Sequence, residues 1–170
     1  SYTIFAGLGN CSYTWFWGLE VINLSSTDRN HDILGGITCT AENIKFINMI
    51  VHDTGSGIDA WKTAKNTEIY GCLIYHIGNN LLNGINWEGH GHGMYLQNDT
   101  FGTKKIHNNI VFSTFGNGIK IWQTTTTAPI GNFDIQNNIL FNMNNYCCII
   151  YFIWIIIVFK YICEFSRYIT

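Results

Sequence analysis

Glu88, His90 and His92 alternate with glycines in this chain. In an extended backbone, residues two apart point to the same side. A carboxylate and two imidazoles on one side could hold zinc, iron or manganese. They could equally exchange protons with a substrate, or close a turn by local hydrogen bonds with no catalytic duty. Tyr95 and Gln97 follow directly. Three aromatic residues, Trp61, Tyr95 and Trp122, stand among the polar side chains Asp59, Lys62, Gln97 and Lys120. Aromatic faces flanked by polar groups suit sugar rings, whose C–H faces are apolar and whose hydroxyls need partners. A further group, His52-Asp53 with His76, offers either a tuned acid or base or two turn closures.

Such a set needs a scaffold, and the repeat pattern supplies one. Phe46-Ile-Asn48-Met-Ile, Ile69-Tyr-Gly71-Cys-Leu, Ile106-His-Asn108-Asn-Ile and Ile135-Gln-Asn137-Asn-Ile are four versions of one phrase. The first three lead into a second phrase: Gly57-Ile-Asp-Ala-Trp61, Gly93-Met-Tyr-Leu-Gln97 and Gly118-Ile-Lys-Ile-Trp122. A degenerate earlier copy runs from Phe16 to Asn23. The spacing is uneven and the runs are short, which predicts strands joined by elastic turns rather than helical repeats. Within the second phrase, Ile58, Ala60, Met94, Leu96, Ile119 and Ile121 should point into a shared core. Asp59, Trp61, Tyr95, Gln97, Lys120 and Trp122 should then form an exposed row. Asn48, Asn108, Asn109, Asn137 and Asn138 fall at the bends. There an amide can satisfy buried turn groups, and Asn tolerates a left-handed backbone. The longest interval between these glycines, from Gly57 to Gly93, carries Glu88 and His90 on a long turn.

Composition agrees. The 170 residues include 17 Gly and only 1 Pro, and charged residues are 12% with a net charge of −2, so no basic face for nucleic acid is expected. The 6 cysteines show no C-x-x-C spacing and read as buried thiols.

The repeat resembles that of the right-handed parallel β-helix proteins, the pectate-lyase-like superfamily, over roughly residues 14–145. Its best instance is Ile106-His-Asn-Asn109-Ile-Val111 followed by Gly118-Ile-Lys-Ile121. The resemblance implies an all-β fold, a single-stranded right-handed parallel β-helix solenoid of about five coils built from PbH1-type repeats. It also implies a secreted or cell-surface protein that binds a polysaccharide in a groove on the exposed face and degrades it, either as a lyase with Lys62 or Lys120 as the base or as a glycoside hydrolase with Glu88 and His92 as the acid/base pair. Calcium is the cofactor it would bring. The fold carries adhesins too, so a non-catalytic structural or adhesive β-helix is the alternative. The chain departs from the enzymes of this group in two respects. Asp53, Asp59 and Asp99 are scattered, and the paired aspartates of the polygalacturonase-like hydrolases are missing.

From Tyr146 to Phe159 the chain is an unbroken apolar run. It is short and β-branched for a spanning helix, which needs about twenty residues. The reading is a β-helix domain over residues 1–145, truncated, and an apolar tail over 146–170. That tail is either not the native continuation, a capping element, or an anchor, and only as an anchor would it bring a membrane partner.

Overall fold

The computed structural model describes residues 3–5, 10–24, 35–78, 81–82, 85–86, 90–98, 101–122, 130–143 and 151–157. Its regular structure is β. In chain order the strands are β1 (Thr3–Phe5), β2 (Trp15–Trp17), β3 (Glu20–Ile22), β4 (Gly35–Cys39), β5 (Lys45–Ile47), β6 (Ile50–Thr54), β7 (Ile58–Ala60), β8 (Glu68–Tyr70) and β9 (Leu73–Ile77). They continue with β10 (Leu81–Leu82), β11 (Ile85–Asn86), β12 (Met94–Leu96), β13 (Lys104–His107), β14 (Ile110–Thr114), β15 (Ile119–Ile121), β16 (Phe133–Met143) and β17 (Tyr151–Ile157). No α-helix occurs among the described residues, and none there is long and apolar enough to cross a membrane.

The strands run parallel in curled sheets, an arrangement compatible with a parallel β-helix. One sheet has the order β1-β4-β7-β12-β15. In the other, β2-β5-β8-β13 and β3-β6-β9-β14 form two runs that meet on the long strand β16. The chain therefore lays one strand in each run and then returns beside its previous pass. Strands β10 and β11 form a small antiparallel pair within the long turn.

Register builds the core. Ile37, Ile58, Met94 and Ile119 align across the first sheet. Phe46, Ile69, Ile106 and Ile135 align across one run, and Val51, Ile74, Val111 and Leu140 across the other. These columns are buried, apart from the partly buried Ile119, and the three rows converge on one interior. Each such side chain stabilises the fold by about 1.5–3 kcal/mol when fully buried. The inward parity expected for Ile58, Ala60, Met94 and Leu96 is observed, with Ile119 and Ile121 packed at the core's edge.

Left-handed residues make the bends. One row of corners is Tyr13, Asn43, Asn66, Gly102 and Asn132; a second is Gly18, Asn48, Gly71, Asn108 and Asn137; a third is Asp53, His76, Ser113 and Asn142. All have φ between 51° and 76°. Asn and Asp occupy this region more readily than other non-glycine residues, because a short polar side chain can bond locally. The bend asparagines thus divide into two jobs. Asn48, Asn108 and Asn137 turn the backbone, while Asn109 and Asn138 point inward and are fully buried. Asn138 Oδ1 accepts from Asn109 N at 3.0 Å and from Asn109 Nδ2 at 2.9 Å. Asn109 Oδ1 in turn accepts from Cys72 N at 2.9 Å, and the Nδ2 groups of Asn109 and Asn138 donate to Ile69 O and Ile106 O.

The glycines that open the second phrase are fixed by backbone contact rather than by φ. A Cβ on Gly57 would fall on the carbonyl oxygen of Gly93, and one on Gly93 would lie 2.6 Å from Gly118 O. The rows are stacked too closely there for a side chain.

In the apolar tail, the backbone of β17 pairs antiparallel with β16, Leu140 facing Tyr151 and Phe133 facing Ile157, with an irregularity between Ile135 and Asn138. The remainder of residues 146–170 lies outside the described residues, as does Glu88.

Candidate functional site

The candidate site stands on the outer side of the first sheet, where β7, β12 and β15 lie side by side. Tyr95 is in register with Asp59 on one side and Lys120 on the other, and Thr38 continues the row beyond Asp59. Hydrogen bonds just past the strands align the next row. Trp61 N donates to Cys39 O, Gln97 N to Ala60 O and Trp122 N to Leu96 O. Trp61, Gln97 and Trp122 therefore stand at equivalent positions of successive strands.

Most of the expected row is brought together. Trp61 and Tyr95 meet with ring centroids 5.6 Å apart at 56°. Lys120 Nζ lies 4.9 Å from the Trp122 ring centroid. Trp122 is 52% exposed and Trp61 39%. Gln97 differs from the expectation, since it is buried, not exposed. It sits between two tryptophans in its row, and its Nε2 donates to Tyr95 Oη at 3.1 Å.

Asp59 is the electrostatic focus. Its Oδ2 accepts from Ser56 Oγ at 2.9 Å, while its Oδ1 is buried with no hydrogen-bond partner. Burial pushes the carboxyl up to about 6, although the Ser56 bond pulls the other way. A carboxyl in that range can give or take a proton near neutral pH.

His92 is buried beside this row, with its ring stacked on Tyr95 at 6.0 Å. Its Nδ1 accepts from the backbone N–H of Asn117 at 2.9 Å, so that nitrogen is committed to holding two passes of the chain together. Gly116 makes room for it, since a Cβ there would meet His92 Nδ1 and lie 2.5 Å from His90 O. His90 is exposed on the turn before it, and Lys62 is exposed on the turn after Trp61. The third member of the expected Glu88, His90, His92 set lies outside the described residues. Among the described residues no group of three or more His, Cys, Asp or Glu could hold a metal ion.

The turn that carries Trp61 and Lys62 is anchored from inside by a residue the repeat did not flag. Lys104 is fully buried, and its ammonium donates to Trp61 O at 3.2 Å and to Ala64 O. Thr67 Oγ1 donates to the same Ala64 carbonyl at 2.7 Å. The signal was parity. Lys104 lies two residues before Ile106, on the inward side, in register with the buried Phe133.

The second expected group also forms. His52 Nδ1 lies 2.6 Å from Asp53 Oδ2, and its Nε2 lies 2.9 Å from Glu20 Oε1. His76 Nδ1 is 3.6 Å from Asp53 Oδ1. Burial alone would disfavour the imidazolium, but the bonds and charges of Glu20 and Asp53 outweigh it and raise the His52 pKa. His52 also begins a stack of parallel rings through Tyr75 (4.7 Å), Phe112 (5.1 Å) and Phe141 (4.8 Å). Both ring nitrogens of His52 are engaged, so this group ties β3 to β6 rather than presenting a free base.

Compared with protein-family models, curated proteins and solved structures, the chain matches none.

Proposed function

We propose that this chain is a right-handed parallel β-helix of about five coils, of the pectate-lyase-like kind, that binds a polysaccharide at the cell surface or outside the cell and cleaves it. The observation that supports this most is the in-register row of Asp59, Tyr95 and Lys120 beside the exposed Trp61 and Trp122. Parallel strands repeat at about 4.8 Å, so the row is a ruler along which a chain of sugar rings can lie. Trp61 and Trp122 supply flat apolar faces, while Tyr95 and Lys120 supply polar contacts between them.

Two cleavages fit the same row. In a lyase, Lys120 or Lys62 removes the proton alpha to a uronate carboxylate, and the electron pair expels the neighbouring glycosidic oxygen. Calcium bound to the uronate would be the expected aid. In a hydrolase, Asp59, its carboxyl raised to about 6 by burial, donates a proton to the leaving oxygen from its protonated form. The second carboxylate of that mechanism would fall to Glu88. His92 is placed to position Tyr95 and its strand. That structural engagement of His92 also favours a second reading, an adhesive β-helix that binds the polymer without cutting it.

The test is turnover of uronate-containing and neutral polysaccharides by the full chain, with and without calcium. Ultraviolet absorbance of unsaturated products identifies a lyase; new reducing ends without that absorbance identify a hydrolase. Binding without turnover leaves the adhesive reading, and a folded sample that neither binds nor cuts any polymer removes the proposal.

A further inference from the structure

The third row of corners differs from the other two in residue type. Of the ten residues in those two rows, nine are Asn or Gly, which suit a left-handed backbone. The third row places Asp53, His76, Ser113 and Asn142 there, with φ between 51° and 54°. Such a backbone is uncommon for Ser, and strained positions of this kind gather at functional sites. Register brackets the four residues on both sides. His52, Tyr75, Phe112 and Phe141 align just before them, and Thr54, Ile77, Thr114 and Met143 just after. Asp53, His76, Ser113 and Asn142 therefore hold one position on the neighbouring parallel strands β6, β9, β14 and β16, at steps of about 4.8 Å.

Carboxylate, imidazole, hydroxyl and amide thus follow one another along the row. His52 Nδ1 lies 2.6 Å from Asp53 Oδ2, which leaves Oδ1 for His76, whose Nδ1 is 3.6 Å away. The His76 ring also meets Tyr75 edge-on, with centroids 5.3 Å apart. Its side chain is 50% exposed, so a substrate can reach it. With Nδ1 turned to Asp53 on one neighbouring strand, Nε2 is the nitrogen left for Ser113 on the other. Ser113 is half-buried and Asn142 exposed. The Asp53–His76 contact is longer than a hydrogen bond and the bond from Ser113 to His76 is not yet formed, as is common before substrate binds. The outer face beside the row is apolar. It carries the stacked rings of Tyr75, Phe112 and Phe141, with Ile50 and Ile110 each 38% exposed.

We propose that Asp53, His76, Ser113 and Asn142 form an esterase site for a carboxylic ester with an uncharged, apolar acyl group. Ser113 Oγ bonds to the ester carbonyl carbon, His76 Nε2 takes the hydroxyl proton, and the carbonyl π pair moves onto oxygen. Asp53 holds the His76 ring and stabilises the imidazolium that forms. The Asn142 amide, one strand beyond Ser113, donates to the oxyanion. Collapse of the tetrahedral intermediate breaks the bond to the leaving alkoxide, which carries away the proton from His76. Water, deprotonated by His76, then attacks the acyl-serine, releasing a carboxylic acid and restoring Ser113. The acyl group lies on the rings of Phe112 and Phe141. This site stands on a different sheet from the row of Asp59, Tyr95 and Lys120, and it does not depend on the polysaccharide reading.

The experiment follows hydrolysis of p-nitrophenyl butyrate by the full chain. In parallel, a fluorophosphonate probe labels the protein and peptide mass spectrometry locates the label. The variants are Ser113→Asn, His76→Asn and Asp53→Asn, because asparagine suits a left-handed corner and preserves the fold. Circular dichroism matching the parent checks that each is folded. His107→Gln is the control. That imidazole also lies near a carboxylate, 3.1 Å from Asp134 Oδ2, but its register neighbours are Tyr70 and Gln136. The expected result is saturable turnover with the label on Ser113. Ser113→Asn and His76→Asn should each lower kcat about a hundredfold or more. Asp53→Asn should lower kcat at least about tenfold with KM nearly unchanged, the mark of a residue that positions the base. His107→Gln should stay within about twofold of the parent. Turnover that survives in Ser113→Asn, or a label on another residue, overturns the proposal. So does an equal loss in His107→Gln, which would mean scattered hydrolysis by surface imidazoles. A folded parent that neither turns over the ester nor takes the label overturns it outright.

Discussion

Two sets of polar groups lie within a few strands of each other and are treated in opposite ways. At the inner bend, Cys72 N, Asn109 and Asn138 form a relay in which each amide hands a hydrogen bond to the next pass of the chain. On the first sheet, Asp59 keeps one buried oxygen without a partner and a pKa raised to about 6. A fully satisfied network rigidifies a fold, whereas an unsatisfied buried group costs free energy and retains reactivity. The relay ties successive passes of the chain together, whereas Asp59 is left able to exchange a proton near neutral pH.

Breaking the relay should give the largest effect. Asn109→Ala strips partners from Cys72 N, Ile69 O and Asn138 at once, and each orphaned buried group costs about 1–3 kcal/mol. A loss of about 3 kcal/mol or more in urea unfolding is expected, against little change for Asp59→Asn at neutral pH. Equal losses in the two variants would erase the distinction.

Gly57→Ala comes next. Its Cβ has no room against Gly93 O, a backbone atom that cannot rotate away. Overpacking of this kind costs about 1–3 kcal/mol. The same substitution at Gly131, where a Cβ meets nothing within 4 Å, should be nearly neutral. A melting-temperature comparison of the pair isolates the contact from glycine's general flexibility.

Much of this was legible in the sequence because a parallel stack repeats its demands. The inward set of the second phrase, the row of Asp59, Tyr95 and Lys120, and the glycines at 57 and 93 all follow from counting by two after each Gly. Gln97 was misjudged because parity gives the side of a sheet but not what its neighbours cover, and here two tryptophans flank it. The row of Trp15, Lys45, Glu68, Lys105 and Asp134 stands one residue before the apolar position of each first phrase. Its alternating charges were readable at that register. Lys104 was hidden by residue type, since a lysine at the start of a strand reads as solvated, while the buried ammonium here caps a turn from within. The tie between Glu20 and His52 spans a full pass of the chain, and only the stacking register brings those two together.

The reactive side of the comparison sharpens through pH. The folded pKa of Asp59 lies above its ordinary 3.8, so its protonated form favours folding. That contribution is complete below about pH 4 and is lost as pH rises through about 6. Asp59→Asn should therefore remove a fall in stability across that interval and equal or exceed the parent at pH 7. If Asp59 donates a proton in cleavage, the same variant also abolishes turnover while retaining polymer binding. A parent and variant with parallel stability profiles would mean that the carboxylate is solvated.

The smallest effect belongs to the third group, and it titrates in a different window. The folded pKa of His52 is raised above its ordinary 6.5, against the effect of burial, by its bonds to Glu20 and Asp53. Its stabilising charge is fully present below about pH 6.5 and is lost as pH rises through the higher folded value. Glu20 is 60% exposed at its side chain, so solvent screens half of the tie, and a contribution of a few tenths to about 1 kcal/mol is expected. His52→Gln should lower the melting temperature most at pH 6, with the gap to the parent narrowing toward pH 9. A gap that stays constant across this range would assign His52 to its ring stack on Tyr75, a contact indifferent to protons, and would leave Asp59 as the titrating group whose charge the fold feels.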